Sequence, residues 1–108
     1  LMASYCASKA AAHSITQALR AELQPSGVRV LGVYPAVVDT PMSRDVAEPK
    51  QSPRELAQEV VEAIRRGEED LYPGTAEHAY RNFVAHPKQF ERQMAMRLHD
   101  ATASVATH

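Results

Sequence analysis

The chain has 108 residues, and its 12 lysine and arginine residues against 13 aspartate and glutamate residues give a formal net charge of -1. This length predicts one domain, and the charge balance disfavours nucleic acid or an anionic membrane surface as partner. The single cysteine excludes an internal disulfide, histidine and cysteine do not recur at a zinc-ligand spacing, and no apolar run is long enough to span a bilayer. With no targeting signal in the sequence, these features predict a cytoplasmic protein that binds neither a metal nor a membrane.

The first predicted helix covers residues 4 to 24. Its apolar positions recur at spacings of three and four, namely Ala7, Ala11, Ile15, Ala18, Leu19 and Leu23. Pro25 and Gly27 are expected to end it. The alanine-rich face allows another backbone to approach closely, and both a second subunit and a neighbouring helix of the same domain fit this pattern.

A predicted strand and a loop follow. Residues 28 to 34 are mostly apolar and lie between Gly27 and Pro35, which predicts a strand covered on both faces of a parallel sheet. Residues 35 to 50 contain three prolines and are predicted to form a loop, with one helical turn begun at Thr40. Loops that follow buried strands often carry functional residues.

The second half of the chain begins with a strong helix-start pattern. Ser52 is the predicted N-cap, Pro53 the first helical residue and Glu55 the partner in a capping box, and Gly67 is predicted to end the helix. A short apolar piece, Leu71-Tyr72, then predicts a second strand before the turn at Pro73-Gly74.

Two weaker helical stretches complete the chain, at about 76 to 85 and 88 to 98, divided by His86-Pro87. Residues 101 to 108 are predicted to be a frayed, disordered tail. Two short strands do not make an independently stable sheet. We therefore expect the chain to be the C-terminal segment of a single larger α/β domain, or to complete its sheet with another chain.

Tyr5 and Lys9 are the clearest candidates for chemistry. They are four residues apart near the start of the first helix, so both side chains can act on one ligand. An ammonium close to a phenol favours the phenolate, and such a hydroxyl can exchange a proton with a carbonyl or alcohol oxygen. The histidines, by contrast, are spread along the chain and are expected to be solvated; they are His13, His78, His86, His99 and His108.

Several segments occur together in a known order. The run Tyr5-Cys6-Ala7-Ser8-Lys9 opens the helix, Arg20-Ala21-Glu22-Leu23 closes it, and Gly27-Val28-Arg29-Val30 and Pro35-Ala36-Val37-Val38-Asp39-Thr40 follow. This arrangement resembles the C-terminal half of a short-chain dehydrogenase/reductase, from its Tyr-x-x-x-Lys motif onward. The match is dense from Ser4 to Met42 and looser from Ser52 to Gly74.

The resemblance implies a fold and a set of roles. The fold is the C-terminal part of a Rossmann-like, doubly wound parallel sheet domain, and the cofactor is NAD or NADP. Tyr5 would be the general acid/base on a carbonyl or alcohol substrate, and Lys9 would hold the nicotinamide ribose and assist proton transfer. The residues implied in cofactor binding are Tyr5, Lys9, Pro35, Ala36, Val38 and Thr40, with Val38 meeting the carboxamide through its backbone. Met42 and Arg44 would lie in the substrate loop, and a homo-oligomer is expected.

The sequence also departs from the family pattern. Ala36 stands where the family usually has glycine, and the four glycines are scattered, so these 108 residues hold no glycine-rich phosphate loop. We therefore expect the 108-residue chain to support hydride transfer only with the dinucleotide-binding half and to be inactive alone. The alternative is a non-catalytic oligomerisation or interaction module derived from such an enzyme.

Overall fold

The computed structural model describes residues 2–47 and 49–106, with side chains described from residue 3 to residue 100 except at 48. The helices are α1 (Met2–Leu23), α2 (Pro53–Arg66), α3 (Ala76–Ala85) and α4 (Pro87–Ala106), and the strands are β1 (Gly32–Val33) and β2 (Asp70–Leu71). Short 3₁₀ turns cover Gln24–Ser26 and Pro41–Ser43. The chain forms two compact units, Leu1–Gly74 and Thr75–His108, and the prediction of one domain stays a prediction.

The two strands are parallel, as the sequence predicted for an α/β protein. Gly32 pairs with Asp70 and Val33 pairs with Leu71. The paired part of the first strand is much shorter than the predicted residues 28 to 34, because β2 offers it only two residues and no other described strand lies beside it. Val28 is half exposed, so the prediction of a strand covered on both faces is wrong within this part of the chain.

The helix boundaries follow the local signals. Ser52 Oγ accepts the Glu55 N–H at 3.1 Å, and Gly67 ends α2 with a φ of 70°. This φ lies in the left-handed region that glycine adopts without strain. Ser52 is thus confirmed as the N-cap, but the bonds between described residues contain no return contact from the Glu55 carboxylate that would complete the predicted capping box.

The second unit contains the two C-terminal helices. Phe83 on α3 and Phe90 on α4 pack edge to face, with their ring centroids 5.4 Å apart. The helix boundary at His86-Pro87 is confirmed, but α4 continues to Ala106 where the sequence predicted an end near residue 98 and a frayed tail from 101. Residues after Pro87 include no further glycine or proline to interrupt the helix, and residues 107 and 108 lie outside the described residues.

Arg20 fixes the C-terminal half of α1 against the sheet of the first unit. Its Nε donates to the Val30 carbonyl at 3.1 Å, and its Nη2 donates to the Glu69 carbonyl and to the Asp70 carboxylate. Val30 precedes β1 and Glu69 precedes β2, so Arg20 lies at the amino ends of both strands. Charge-assisted hydrogen bonds of this kind are the stronger ones in proteins.

Candidate active site

The direction of α1 places the Tyr5–Lys9 turn beyond the carboxyl ends of the strands. Arg20 contacts the amino ends, whereas His13 contacts Tyr34 and Tyr72, the residues that directly follow β1 and β2. The helix therefore runs opposite to the strands. At about 1.5 Å per residue, Lys9 lies about 6 Å and Tyr5 about 12 Å further along the axis than His13. Ligands of open α/β sheets bind at this end.

Tyr5 and Lys9 lie exposed on one face of α1. Lys9 Nζ lies over the Tyr5 ring, 5.5 Å from its centroid, a distance at which an ammonium is attracted to an aromatic face. Half of the Tyr5 surface is exposed, and Lys9 forms no ion pair with a described carboxylate. The phenol and the ammonium are thus both available to a ligand.

The loop after β1 is held at both of its ends. The Tyr34 N–H donates to the Leu71 carbonyl at 2.9 Å, and Pro35 and Ala36 follow as exposed residues. Further along, the Asp39 N–H donates to the Gln51 carbonyl at 2.8 Å, and the Gln51 N–H donates to the Val37 carbonyl at 2.9 Å. The segment from 37 to 39 is thereby fixed against residue 51.

The N–H and the carbonyl of Val38 point away from Gln51, because Gln51 pairs with the peptide groups of Val37 and Asp39. The Val38 carbonyl accepts the Ser43 hydroxyl, while its N–H meets no acceptor among the described residues. A half-buried backbone donor without a protein acceptor is suited to a polar ligand such as a carboxamide. This geometry fits the role that the resemblance implies for Val38.

Thr40, Met42 and Arg44 lie around the 3₁₀ turn that the sequence predicted. Thr40 is its N-cap, and the Thr40 N–H donates to Ser43 Oγ at 3.1 Å. Met42 is 87% exposed. A shallow cleft of about 340 Å³ is lined by Asp39, Thr40, Pro41, Arg44 and Lys50. Hydrogen bonds and ion pairs between described residues do not link Met42 or Arg44 with Tyr5 or Lys9.

An aromatic cluster of His13, Tyr34 and Tyr72 lies between α1 and the strand ends. The His13 and Tyr34 ring centroids are 4.9 Å apart, and those of Tyr34 and Tyr72 are 5.2 Å apart. The expectation that His13 is solvated is wrong, since its ring is half-buried against Tyr34. The sequence carried a signal for this: His13 follows Lys9 by four residues, Tyr34 ends the apolar segment from 28 to 34, and Tyr72 directly follows Leu71.

No group of three or more histidine, cysteine, aspartate or glutamate side chains among the described residues is placed to hold a metal ion. In the same residues, no helix combines the length and apolar character needed to cross a membrane.

Comparison with known proteins gives one consistent family. A model described as short chain dehydrogenase matches residues 1–51. An uncharacterized oxidoreductase of Staphylococcus saprophyticus is 46% identical over 65 residues, which cover 57% of this chain and 28% of that protein. An uncharacterized oxidoreductase of Staphylococcus epidermidis is 45% identical over 63 residues, covering 56% of this chain and 27% of that protein.

A solved structure shows the same similarity in three dimensions. It is a short chain dehydrogenase from Burkholderia cenocepacia in complex with NADP, 38% identical in sequence, with a TM-score of 0.73. The match covers 81% of this chain and 37% of that structure's chain. The chain thus spans little more than a quarter of the curated relatives' length, and its fold is that of part of a Rossmann-like α/β domain.

Proposed function

Because residues 1–51 match the short chain dehydrogenase model, we propose that the chain carries the proton-transfer part of an NAD- or NADP-dependent oxidoreductase acting on a carbonyl or alcohol substrate. The observation that carries the proposal is the exposed Tyr5–Lys9 pair on the turn of α1 that lies past the carboxyl ends of the strands. The family match over residues 1–51 contains this pair and the following loop.

The residues present suit a nicotinamide cofactor. The Val38 N–H is without a protein acceptor among the described residues, and the Lys9 ammonium is without a carboxylate partner there. We propose that Val38 binds the carboxamide, that Lys9 binds the ribose hydroxyls, and that Pro35, Ala36 and Thr40 shape the loop around them. When bound, the cofactor supplies or accepts the hydride.

Tyr5 handles the proton in this proposal. During reduction of a carbonyl, its hydroxyl donates a proton to the substrate oxygen as that oxygen gains negative charge, and during oxidation of an alcohol the phenolate takes the proton back. Lys9 stabilises the phenolate through its positive charge. Met42 and Arg44, in the loop after Thr40, are proposed to contact the substrate.

The experiment is a hybrid enzyme, in which these 108 residues replace the matching part of the Burkholderia cenocepacia dehydrogenase. The hybrid is expected to bind NADPH and to reduce members of a panel of aldehydes and ketones. Tyr5→Phe is expected to lower kcat by about 100-fold or more, a usual contribution of a positioned acid/base. Tyr80→Phe, which removes a tyrosine hydroxyl from the second unit, is the matched control. A Tyr5→Phe hybrid as active as the control would contradict the proposal.

The 108-residue chain by itself is expected to show no turnover, because it contains no glycine-rich phosphate loop. The intact mass of the sample is measured first, so that activity can be assigned to this chain. Appreciable NADPH oxidation by a sample of verified 11.9 kDa would show that these residues bind the cofactor without the rest of the domain.

A second candidate function is an oligomerisation or interaction module. It is favoured by the apolar face of α1, where Ile15 is 58% exposed and Leu19 is 43% exposed. Contiguous exposed apolar surface favours association with a second copy or another protein. A stable oligomer in size exclusion without a thermal shift on addition of NADPH would favour this function, and a cofactor-dependent shift would favour the oxidoreductase.

A further inference from the structure

The aromatic cluster makes two kinds of contact between α1 and the sheet. His13 and Tyr34 pack ring against ring at an interplanar angle of 46°, and Tyr34 and Tyr72 stack at 29°. In addition, Tyr72 Oη lies 3.5 Å from His13 Nε2, at the long end of the hydrogen-bonding range. His13 therefore contacts the residue that follows each strand, Tyr34 after β1 and Tyr72 after β2.

Tyr34 occupies its place at a cost. Its hydroxyl is buried and has no hydrogen-bond partner among the described residues, and such groups are rare in folded proteins. The ring also lies over Gly32, with Tyr34 Cζ only 2.7 Å from where a Cβ at that position would be. Gly32 is the residue that leaves room for this arrangement. Departures of this kind are expected at functional or strained sites.

Along α1, His13 of the cluster lies about one turn from Lys9 and about two turns from Tyr5. Tyr5, Lys9 and His13 follow one another at intervals of four residues and so share one face of α1. Tyr34, on the other side of the contact, directly precedes Pro35, the first residue of the loop proposed to bind nicotinamide. The His13–Tyr34 contact thus connects the helix carrying the proton donor with the start of that loop.

We infer that His13 is a positioning residue, which through Tyr34 and Tyr72 fixes the Tyr5–Lys9 turn relative to the loop that begins at Pro35. The inference rests on the proposed function for its catalytic meaning, but the geometry itself is testable without activity. A small displacement of an acid/base group relative to the reacting atoms lowers the rate strongly while leaving the binding contacts in place.

The first test uses nuclear magnetic resonance on the 108-residue chain. In the wild type, through-space contacts between the His13 and Tyr34 ring protons are expected. Tyr72→Phe, which removes one oxygen and keeps the ring, is expected to move the amide resonances of Lys9 and Tyr5 as well as that of His13. Tyr80→Phe, the control, is expected to leave all three in place. Missing ring contacts in the wild type, or changes in Tyr72→Phe that stop at the cluster, would overturn the inference.

The second test uses the hybrid enzyme. Tyr72→Phe and His13→Phe remove the polar contact from opposite sides and retain aromatic rings, so each is expected to lower kcat by about tenfold with an unchanged KM for NADPH. The double variant is expected to lose less activity than the two single effects combined, because both substitutions remove the His13–Tyr72 contact. Additive losses, or an increase in KM alone, would overturn the inference.

The two tests separate the possible failures. A wild-type hybrid that binds NADPH and reduces no substrate would refute the proposed function, while the resonance experiment would still decide whether His13 holds the turn. An active hybrid whose Tyr72→Phe and His13→Phe variants match the wild type would refute the positioning role alone.

Discussion

The two ends of the small sheet are attached to α1 by different chemistry. At the amino ends of the strands, Arg20 donates charge-assisted hydrogen bonds to the Val30 and Glu69 carbonyls and to the Asp70 carboxylate. At the carboxyl ends, His13 meets Tyr34 and Tyr72 mainly through ring packing. The end that carries the candidate site is therefore held by shape and weak polar contact, and the opposite end is held by charge. We infer that stability and activity can be altered separately at the two ends.

Removing the Lys9 ammonium, beyond the carboxyl ends of the strands, is expected to have the largest effect. The effect is on activity rather than on stability. In the hybrid enzyme, Lys9→Met should lower kcat by about 100-fold, since Tyr5 loses its charged neighbour. The free energy of unfolding should stay close to that of the wild type, because Lys9 is exposed and without a described ion pair. Kinetics and urea unfolding measure the two quantities, with Lys88→Met as control. A kcat equal to that of the control would show that Lys9 does not assist the reaction.

Removing the guanidinium at the amino end should have the opposite profile. Arg20→Ala is expected to lower the free energy of unfolding by about 2 kcal/mol, because two carbonyls and a carboxylate lose a charged donor. Arg54→Ala, an exposed arginine of α2 without a described ion pair, is the control and should change the unfolding free energy by less than about 0.5 kcal/mol. Equal unfolding curves for the two variants would mean that charge does not hold this end of the sheet.

Ser43 tests how firmly the loop beside the site is held. Its hydroxyl donates to the Val38 carbonyl and accepts the Thr40 N–H, so Ser43→Ala should cost about 1 kcal/mol. Amide hydrogen exchange at residues 37–39 should become faster while exchange in α2 stays the same. Ser14→Ala on the exposed side of α1 is the control. Unchanged exchange at 37–39 would show that the backbone pairing with Gln51 is sufficient to hold the loop.

The smallest effect is expected in the second unit, at the Lys88–Glu91 pair of α4. Hydrogen bonding to Lys88, and then its charge, lowers the pKa of Glu91, and the same contacts with Glu91 raise the pKa of Lys88. The ionised Glu91 therefore stabilises the helix at a pH above the ordinary pKa of glutamate. This stabilisation is lost as the pH falls through the lowered pKa of Glu91. The charged Lys88 stabilises the helix at a pH below the ordinary pKa of lysine. This stabilisation is lost as the pH rises through the raised pKa of Lys88.

Both groups are fully exposed, so solvent screening makes the gain small. Glu91→Gln should change the melting temperature by about 1 °C or less at pH 7, and the difference should be smaller at pH 3. Thermal unfolding followed by circular dichroism at the two pH values measures it. A difference that grows towards low pH would contradict this assignment of the sign.

Local sequence signals predicted which helices and strands this chain forms better than they predicted how long each one is. The Ser52-Pro53 start and the Gly67 end of α2 depend on neighbouring residues alone, and both are confirmed. The length of β1 depends on how many residues its partner strand provides, which residues 28 to 34 do not encode. The family resemblance, confirmed by the comparisons, came from a motif order that is also local.

The site shows the same division. The Tyr5–Lys9 face follows from helical spacing, and so could be predicted from residues four apart. The contact of His13 with Tyr34 and Tyr72 joins positions up to 59 apart in sequence, and only the path of the chain brings them together. The roles assigned to Pro35, Ala36, Val38, Thr40, Met42 and Arg44 remain predictions.

The parallel pairing of Val38 with Gln51 closes the intervening residues into a loop with a fixed base. Changes of length or composition between Ser43 and Gln51 need not be transmitted to the Val38 peptide, because its orientation is set by the two hydrogen bonds at the base and by the Ser43 hydroxyl on its carbonyl. The segment from 44 to 50 can therefore be exchanged while residues 37–39 stay in place. Under the proposed function, a related sequence that differs in this segment would accept other substrates and would keep the proposed cofactor contact at Val38.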